Sequence, residues 1–243
     1  MRTRIRRSAA AVLTASALCL AGTACGAEDD KKPSASADKS GEKQEGGASA
    51  PAVKPFTAEQ LKAATLVAGD LPEGWKATKT PSSDDPAPKA DKPECQPIAN
   101  LLADDVEGAT MGEPADFESA GSETALSQAV FTLEGTGAAD FTKALGTAVD
   151  ACPQLTFTQD GEKNDVKIEK VAAGKVAEDS QTFSMTMKLP GLGVDYKVYL
   201  LVASQGTAVS RAAYIPGEDP AAVKAFDGLV KVIGDKLVKA AQG

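Results

Sequence analysis

The stretch from Gln181 to Ile215, QTFSMTMKLPGLGVDYKVYLLVASQGTAVSRAAYI, constrains the fold more than any other part of the chain. In QTFSMTMKLP, the side chains of Phe183, Met185, Met187 and Leu189 fall on one side of an extended chain, and those of Ser184, Thr186 and Lys188 on the other. That period of two is the signature of a half-buried strand. Gly191 to Gly193 and then Gln205-Gly206 are turn signals flanking VDYKVYLLVAS, so two hairpins run in succession and end in TAVSRAAYI.

Helices surround this core of strands. The chain closes on DPAAVKAFDGLVKVIGDKLVKA, where Asp219 is placed to cap, Pro220 takes the first helical position, and Val223, Phe226, Val230, Ile233 and Leu237 form one stripe. AADFTKALGTAVDAC predicts a second helix, with Phe141, Leu145 and Val149 at four-residue spacing. It lies between TALSQAVFTLEG, which reads as a strand, and the short alternating strands LTFTQ and DVKIEKV. Near the start of the domain, Thr57 caps a helix with Gln60 at its third position. Leu61, Thr65 and Ala68 share one face of it, Gly69-Asp70 ends it, and LPEGW turns the chain into its only tryptophan, Trp75. After a proline- and charge-rich loop, CQPIANLLADD predicts a short helix anchored at Cys95. The expected class is α+β, an antiparallel β-sheet with amphipathic helices packed on one face.

The first residues are of another kind. MRTRIRR places Arg2, Arg4, Arg6 and Arg7 ahead of the uncharged run SAAAVLTASALCLAGTA. A basic start and an apolar run too short for a stable membrane span predict a secretory signal peptide over residues 1–24. The small residues before Cys25 resemble the lipobox of bacterial lipoproteins, in which the lipid-carrying cysteine becomes the first residue. Gly22 stands where that pattern favours leucine, and Leu20 lies two places further back. The alternative is an ordinary signal peptidase site at GTA, which releases a free secreted protein.

Cysteine parity bears on that choice. Cys19 leaves with the signal peptide, and Cys25, Cys95 and Cys152 remain. An unpaired thiol is unwelcome outside the cytoplasm. Acylation of Cys25 by a palmitate-type chain uses the odd one and leaves Cys95 and Cys152 as a disulfide, whose loop closure is worth about 4 kcal/mol.

Residues 25–55 then read as a lipidated tether. GAEDDKKPSASADKSGEKQEGGASAPAVKP has no aromatic residue, and Val53 is its only large aliphatic one. Such a segment buries too little apolar surface to offset the entropy of ordering, and its end-to-end distance is roughly 30 Å. Residues 56–243 make one domain. Loss of the four arginines of the signal peptide takes the net charge from −8 to −12. A protein this acidic excludes nucleic acid as a partner, and anionic headgroups repel it, so membrane contact falls to the N-terminal lipid. The expected location is the outer face of the cell membrane.

The tether followed by LKAATLVAGDLPEGW, the cysteines of ECQPI and ACPQLTF, the strand near SQTFSMTM and the closing helix resemble actinobacterial secreted lipoproteins. The layout is similar to the PknH-type extracellular sensor domain family across most of residues 56–240. The resemblance implies a non-catalytic extracytoplasmic module that senses or binds something. Members of that type carry two disulfides, where this domain has one candidate pair.

The chemistry available agrees with a non-enzyme. The chain has no histidine, which removes the commonest general base, the commonest zinc ligand and every Ser-His or Cys-His nucleophile pair. SxxK is absent from the mature domain. GEKNDVKIE and SSDDP cluster carboxylates, but neither matches a calcium loop and both read as solvated loop. No cofactor and no metal site are expected.

Three residues remain candidate ligand-binding positions. Trp75 offers an aromatic face, though a lone tryptophan is more often a core anchor. Tyr196 sits with Tyr199 and Tyr214 among sheet positions, where packing is the plainer role. Arg211 is the only arginine after the signal peptide, and it shares phase with Val209, Ala213 and Ile215 on an apolar face. An inward arginine needs a carboxylate, such as one from the neighbouring strand, or an anionic ligand. Function therefore divides between a sensing or interaction module, with a protein, cell-wall or small-molecule partner, and a carrier. The carrier would hold an apolar or amphipathic ligand between sheet and helices, with Met185 and Met187 as adaptable lining.

Overall fold

The computed structural model describes residues 54–79, 85–120, 123–188, 194–217 and 221–243. The expected signal peptide, Cys25 and nearly all of the tether lie outside them, as do Leu189, the turn at Gly191 to Gly193, and Asp219-Pro220. All described residues belong to one compact unit.

The alternating stretch forms the centre of a large sheet. β8 (Asp179–Lys188), β9 (Asp195–Gln205) and β10 (Ala208–Ile215) pair antiparallel in sequence order. Beyond β10 come β5 (Ala125–Thr132), β4 (Ala115–Ser119) and β1 (Trp75–Thr78). Beyond β8 come β7 (Glu162–Lys170), β6 (Gln154–Gln159) and the two-residue β2 (Lys89–Ala90). A short β3 (Thr110–Met111) also pairs with β5. Every pairing among these strands is antiparallel. The fold is α+β, as the alternation predicts. The carboxylates of GEKND, expected in a loop, lie on β7, with Glu162 opposite Gln159 and Asp165 opposite Thr156.

Helices cover both faces of the sheet, not one. α1 (Ala58–Ala64) and α4 (Ala222–Gln242) pack on the side shown by Leu126, Val130, Tyr199, Leu201, Ala203 and Tyr214. α2 (Gln96–Ala99) and α3 (Gly137–Ala151) pack on the opposite side, shown by Phe131, Phe183, Met185, Leu200, Val202 and Val209. Successive residues of a strand point to opposite faces. The run YLLVA in β9 therefore supplies Tyr199, Leu201 and Ala203 to one core and Leu200 and Val202 to the other. An uninterrupted apolar run is the mark of a strand covered twice. The alternation of β8 pointed to a single covered face, and that reading does not extend to β9.

The α1/α4 side is closed by aromatic rings. Phe226 of α4 sits 5.4 Å from the ring of Tyr199 and 6.2 Å from that of Tyr214. Val230, Ile233 and Leu237 continue the buried stripe, but Val223 is 53% exposed because it lies in the first turn, before the helix reaches the sheet. α1 begins with the expected capping box, in which the Gln60 amide donates to Thr57 Oγ1 at 3.2 Å and the Thr57 amide to Gln60 Oε1 at 3.0 Å. It is shorter than the sequence predicts. Gln128 intercepts the chain at its end, with Nε2 donating to the Ala64 carbonyl at 3.3 Å and Oε1 accepting from the Leu66 amide at 2.7 Å. Thr65 and Ala68 thus fall outside the helix. Lys236 of α4 ties this corner down through a 2.5 Å ion pair with Asp70.

The opposite side is stapled. Cys95 and Cys152 form a disulfide that joins the start of α2 to the end of α3, and both are fully buried. Phe141 of α3 meets Phe131 of β5 edge to face at 5.5 Å.

Candidate groove over strands β4, β5 and β10

α3 lies against β7–β10 and reaches Phe131 at the end of β5, and it leaves β4 and the Ala125–Ala129 stretch of β5 open. There the sheet surface is built from small side chains, because β5 reads Ala125, Ser127, Ala129 and β10 reads Arg211, Ala213, Ile215 on that face. Ile215 pairs with Ala125, Ala213 with Ser127 and Arg211 with Ala129. The alternate residues, Leu126, Gln128, Val130, Ala212 and Tyr214, point into the α1/α4 core and are fully buried. The result is a cleft of about 510 Å³ with a floor of alanines and serine.

Its borders come from the segment after α2 and from β4. Leu101, Leu102, Ala103, Asp104 and Asp105 line one end, and Asp116 and Glu118 lie along the β4 side. Leu102 is 39% exposed at the lip. Gly112 lets the segment close onto β5. Its amide donates to the Val130 carbonyl at 2.8 Å, and a Cβ there would stand only 3.0 Å from that oxygen.

Arg211 holds the 101–105 segment in place. Its Nη1 donates to the carbonyls of Leu101 at 3.2 Å and Ala103 at 2.7 Å, and its Nη2 to the carbonyl of Asp104 at 3.2 Å. These are carbonyls at the end of a short 3₁₀ turn, Asn100–Leu102, which a guanidinium satisfies and complements electrostatically. Burial pulls the guanidinium below its ordinary pKa, and the charges of Asp104 and Asp105 push it back up. The inward phase read from the sequence is right. Its hydrogen bonds go to backbone carbonyls of a segment more than a hundred residues away, not to an acid on the next strand.

The three candidate ligand residues do not converge. Trp75 is half-buried at the sheet edge and packs against the α1/α4 core. Tyr196 lies on the disulfide side, opposite Met187, six residues along β9 from the Val202 that pairs with Arg211, about 20 Å away. Burial pushes its phenol up from the ordinary value. Met185 is 2% exposed in the stapled core, so it packs and lines nothing. The groove itself escaped the sequence reading, because Ala125, Ser127, Ala129 and Ala213 carry no chemistry of their own. The hint was their smallness on a face where β9 bears leucine and valine.

Among the described residues no cluster of His, Cys, Asp and Glu has metal-binding geometry, and no helix is long and apolar enough to cross a membrane. No protein-family profile matches the chain, and no curated protein does. Among solved structures, the extracellular domain of PknH from Mycobacterium tuberculosis is similar, with a TM-score of 0.55 at 15% identity over 78% of this chain and 98% of that one. An uncharacterised protein from Mycobacterium smegmatis, an Rv0999 ortholog, overlaps more loosely, with a TM-score of 0.41 at 14% identity over 76% and 95%. At such identities the likeness is one of fold.

Proposed function

We propose that this protein is a non-catalytic sensing or interaction module of the cell envelope, exported and held at the outer face of the membrane by a lipid on Cys25. The observation that carries the reading is the fold shared with nearly the whole PknH extracellular domain. A basic, apolar leader over residues 1–24, just before Cys25, and a buried disulfide suited to an oxidising compartment support it. The groove over β5 and β10 is the contact site in this reading. It is concave and bordered by charge, and its wall is fixed by Arg211.

Native mass spectrometry of the exported chain, beside an Ala129→Phe variant that fills the groove, tests the contact site. A bound mass present in the parent and absent from the variant is the expected result. A mass retained by both favours the carrier alternative, with its ligand between sheet and helices. For the anchor, Cys25→Ser should move the protein from the membrane fraction to the medium. A variant that still sediments with membranes rules the lipid out.

A further inference from the structure

The groove has a neighbour of the opposite shape on the same face of the sheet. Its floor on β5 and β10 is a trough of small side chains, Ala125, Ser127, Ala129 and Ala213. Beside it, Val198 and Tyr196 of β9 and Met187 of β8 project from that face and are only partly buried. Leu200 pairs with Ala213, so Val198 and Tyr196 follow it down the strand on the same side, toward exposed Val194. Burial stops between Met185, which is sealed in the stapled core, and Met187, which is not. A ridge and a trough thus lie side by side, each partly open to solvent.

Such a face is self-complementary. A two-fold axis lying in the contact plane, along the strands between β9 and β10, exchanges left and right without changing height. It sets the ridge of each copy against the trough of the other, the isologous arrangement of a closed dimer. Where the remaining chain joins the domain selects the same axis. The Lys54 carbonyl accepts from Thr207 Oγ1 at 3.3 Å beside the β9–β10 turn, and the Phe56 amide donates to Thr132 Oγ1 at 3.2 Å. Tyr196 lies nine residues along β9 from Gln205, about 30 Å from that entry. The ridge is therefore remote from the tether, which disfavours the lipid surface as occupant. An axis along the strands brings both tethers to one end, as a common membrane requires. An axis across the strands sends them to opposite ends.

On the reading that the groove is the contact site, we infer that its occupant is a second copy of this chain, with the β8–β9 ridge of each copy in the β5–β10 trough of the other. The face spans four strand spacings from β4 to β8, about 19 Å, and six residue steps from Tyr196 to Val202, about 20 Å. That footprint is below the roughly 800 Å² per partner of a standard stable interface. Association is therefore weak in solution, and it is favoured where lipids confine both copies to one membrane.

Sedimentation velocity of the full exported chain carrying Cys25→Ser tests the contact apart from the anchor. The expected result is a monomer–dimer equilibrium with a dissociation constant of about 0.1 mM. Ser127→Phe fills the trough and Tyr196→Ala flattens the ridge. Each spoils both halves of a two-fold contact and should weaken association about ten-fold. An equimolar mixture of the two variants keeps one sound ridge opposite one sound trough, and it should associate about three-fold more tightly than either variant alone. An unchanged melting temperature shows that each fold is intact, and Met187→Ala serves in place of Tyr196→Ala where it is not. A monomer up to about 0.5 mM, a dimer indifferent to both variants, or a mixture no tighter than its components overturns the inference. If the chain stays monomeric while Ala129→Phe still removes a bound mass, the second copy is overturned and the groove stands as the contact site.

Discussion

The two sides of the sheet are covered by different means. On one, α2 and α3 sit between strands in sequence, and the Cys95–Cys152 bridge locks their ends together. On the other, α4 is the last element described and is held by packing: Phe226 on two tyrosines, an aliphatic stripe, and one ion pair to Asp70. A covalent staple restricts the unfolded chain, whereas a packed terminal helix gives the unfolded chain no such restriction. The stapled side should therefore be the last to open and the α4 side the first, although both share β9 and β10.

The comparison breaks most visibly if the staple is removed. Cys95→Ala/Cys152→Ala should lose about 4 kcal/mol in denaturant unfolding, and hydrogen exchange in α3 should then be as fast as in α4. If α3 stays the slower, packing and not the bridge sets the order. Phe226→Ala should cost about 3 kcal/mol, the low end for such a truncation, because Tyr199 and Tyr214 can close toward the gap. Exchange should rise in α1 and α4 while α3 keeps its protection.

Gln128 and Arg211 sharpen the contrast, since each belongs to one side. Gln128→Leu strands the Leu66 amide and the Ala64 carbonyl and should cost about 2–3 kcal/mol, read by thermal unfolding. Arg211→Leu exposes three carbonyls to loss of their donor on the groove side and should cost about 1–2 kcal/mol, with amide shifts confined to residues 100–105. Normal stability together with loss of a bound anion would instead give Arg211 a ligand role.

The smallest effect is a pH dependence. Burial alone would push the Asp70 carboxyl up, but hydrogen bonds from Lys236 and the Val67 amide outweigh it and hold the carboxyl below its ordinary value of 3.8. A depressed carboxylate contributes stability that is complete above its unfolded pKa and is lost as pH falls through the folded one. The α4 latch should therefore weaken only in strong acid. Asp70→Asn should remove that acid sensitivity at a cost below about 1 kcal/mol near neutrality, measured by melting temperature against pH.

Much of this contrast could be read from the chain, and the reasons differ by element. The hairpins of β8–β10, the helix at Phe141, Leu145 and Val149, and the Thr57 cap rest on local patterns that the fold kept. β1 and β4 went unpredicted because WKAT and ADFES carry little alternation. Their strand state comes from pairing with each other and with β5. The second helical face was written in YLLVA but was masked by the polar residues of β8. Arg211 could be placed on its strand but not matched to its acceptors, because Leu101 and Ala103 meet it only through the tertiary fold. The groove is a property of what is missing from side chains, and no motif marks it.

β9 has a further consequence for how the chain finds its fold. A strand apolar on both sides is indifferent to a one-residue slip, since either set of side chains would satisfy either core. Something else must prevent that error. Gly206, at φ 57°, takes the first of the two loop positions between Gln205 and Ala208, a conformation that favours glycine in tight hairpins. The chain thus stores in one two-residue loop the alignment that the eleven residues of β9 cannot specify for themselves.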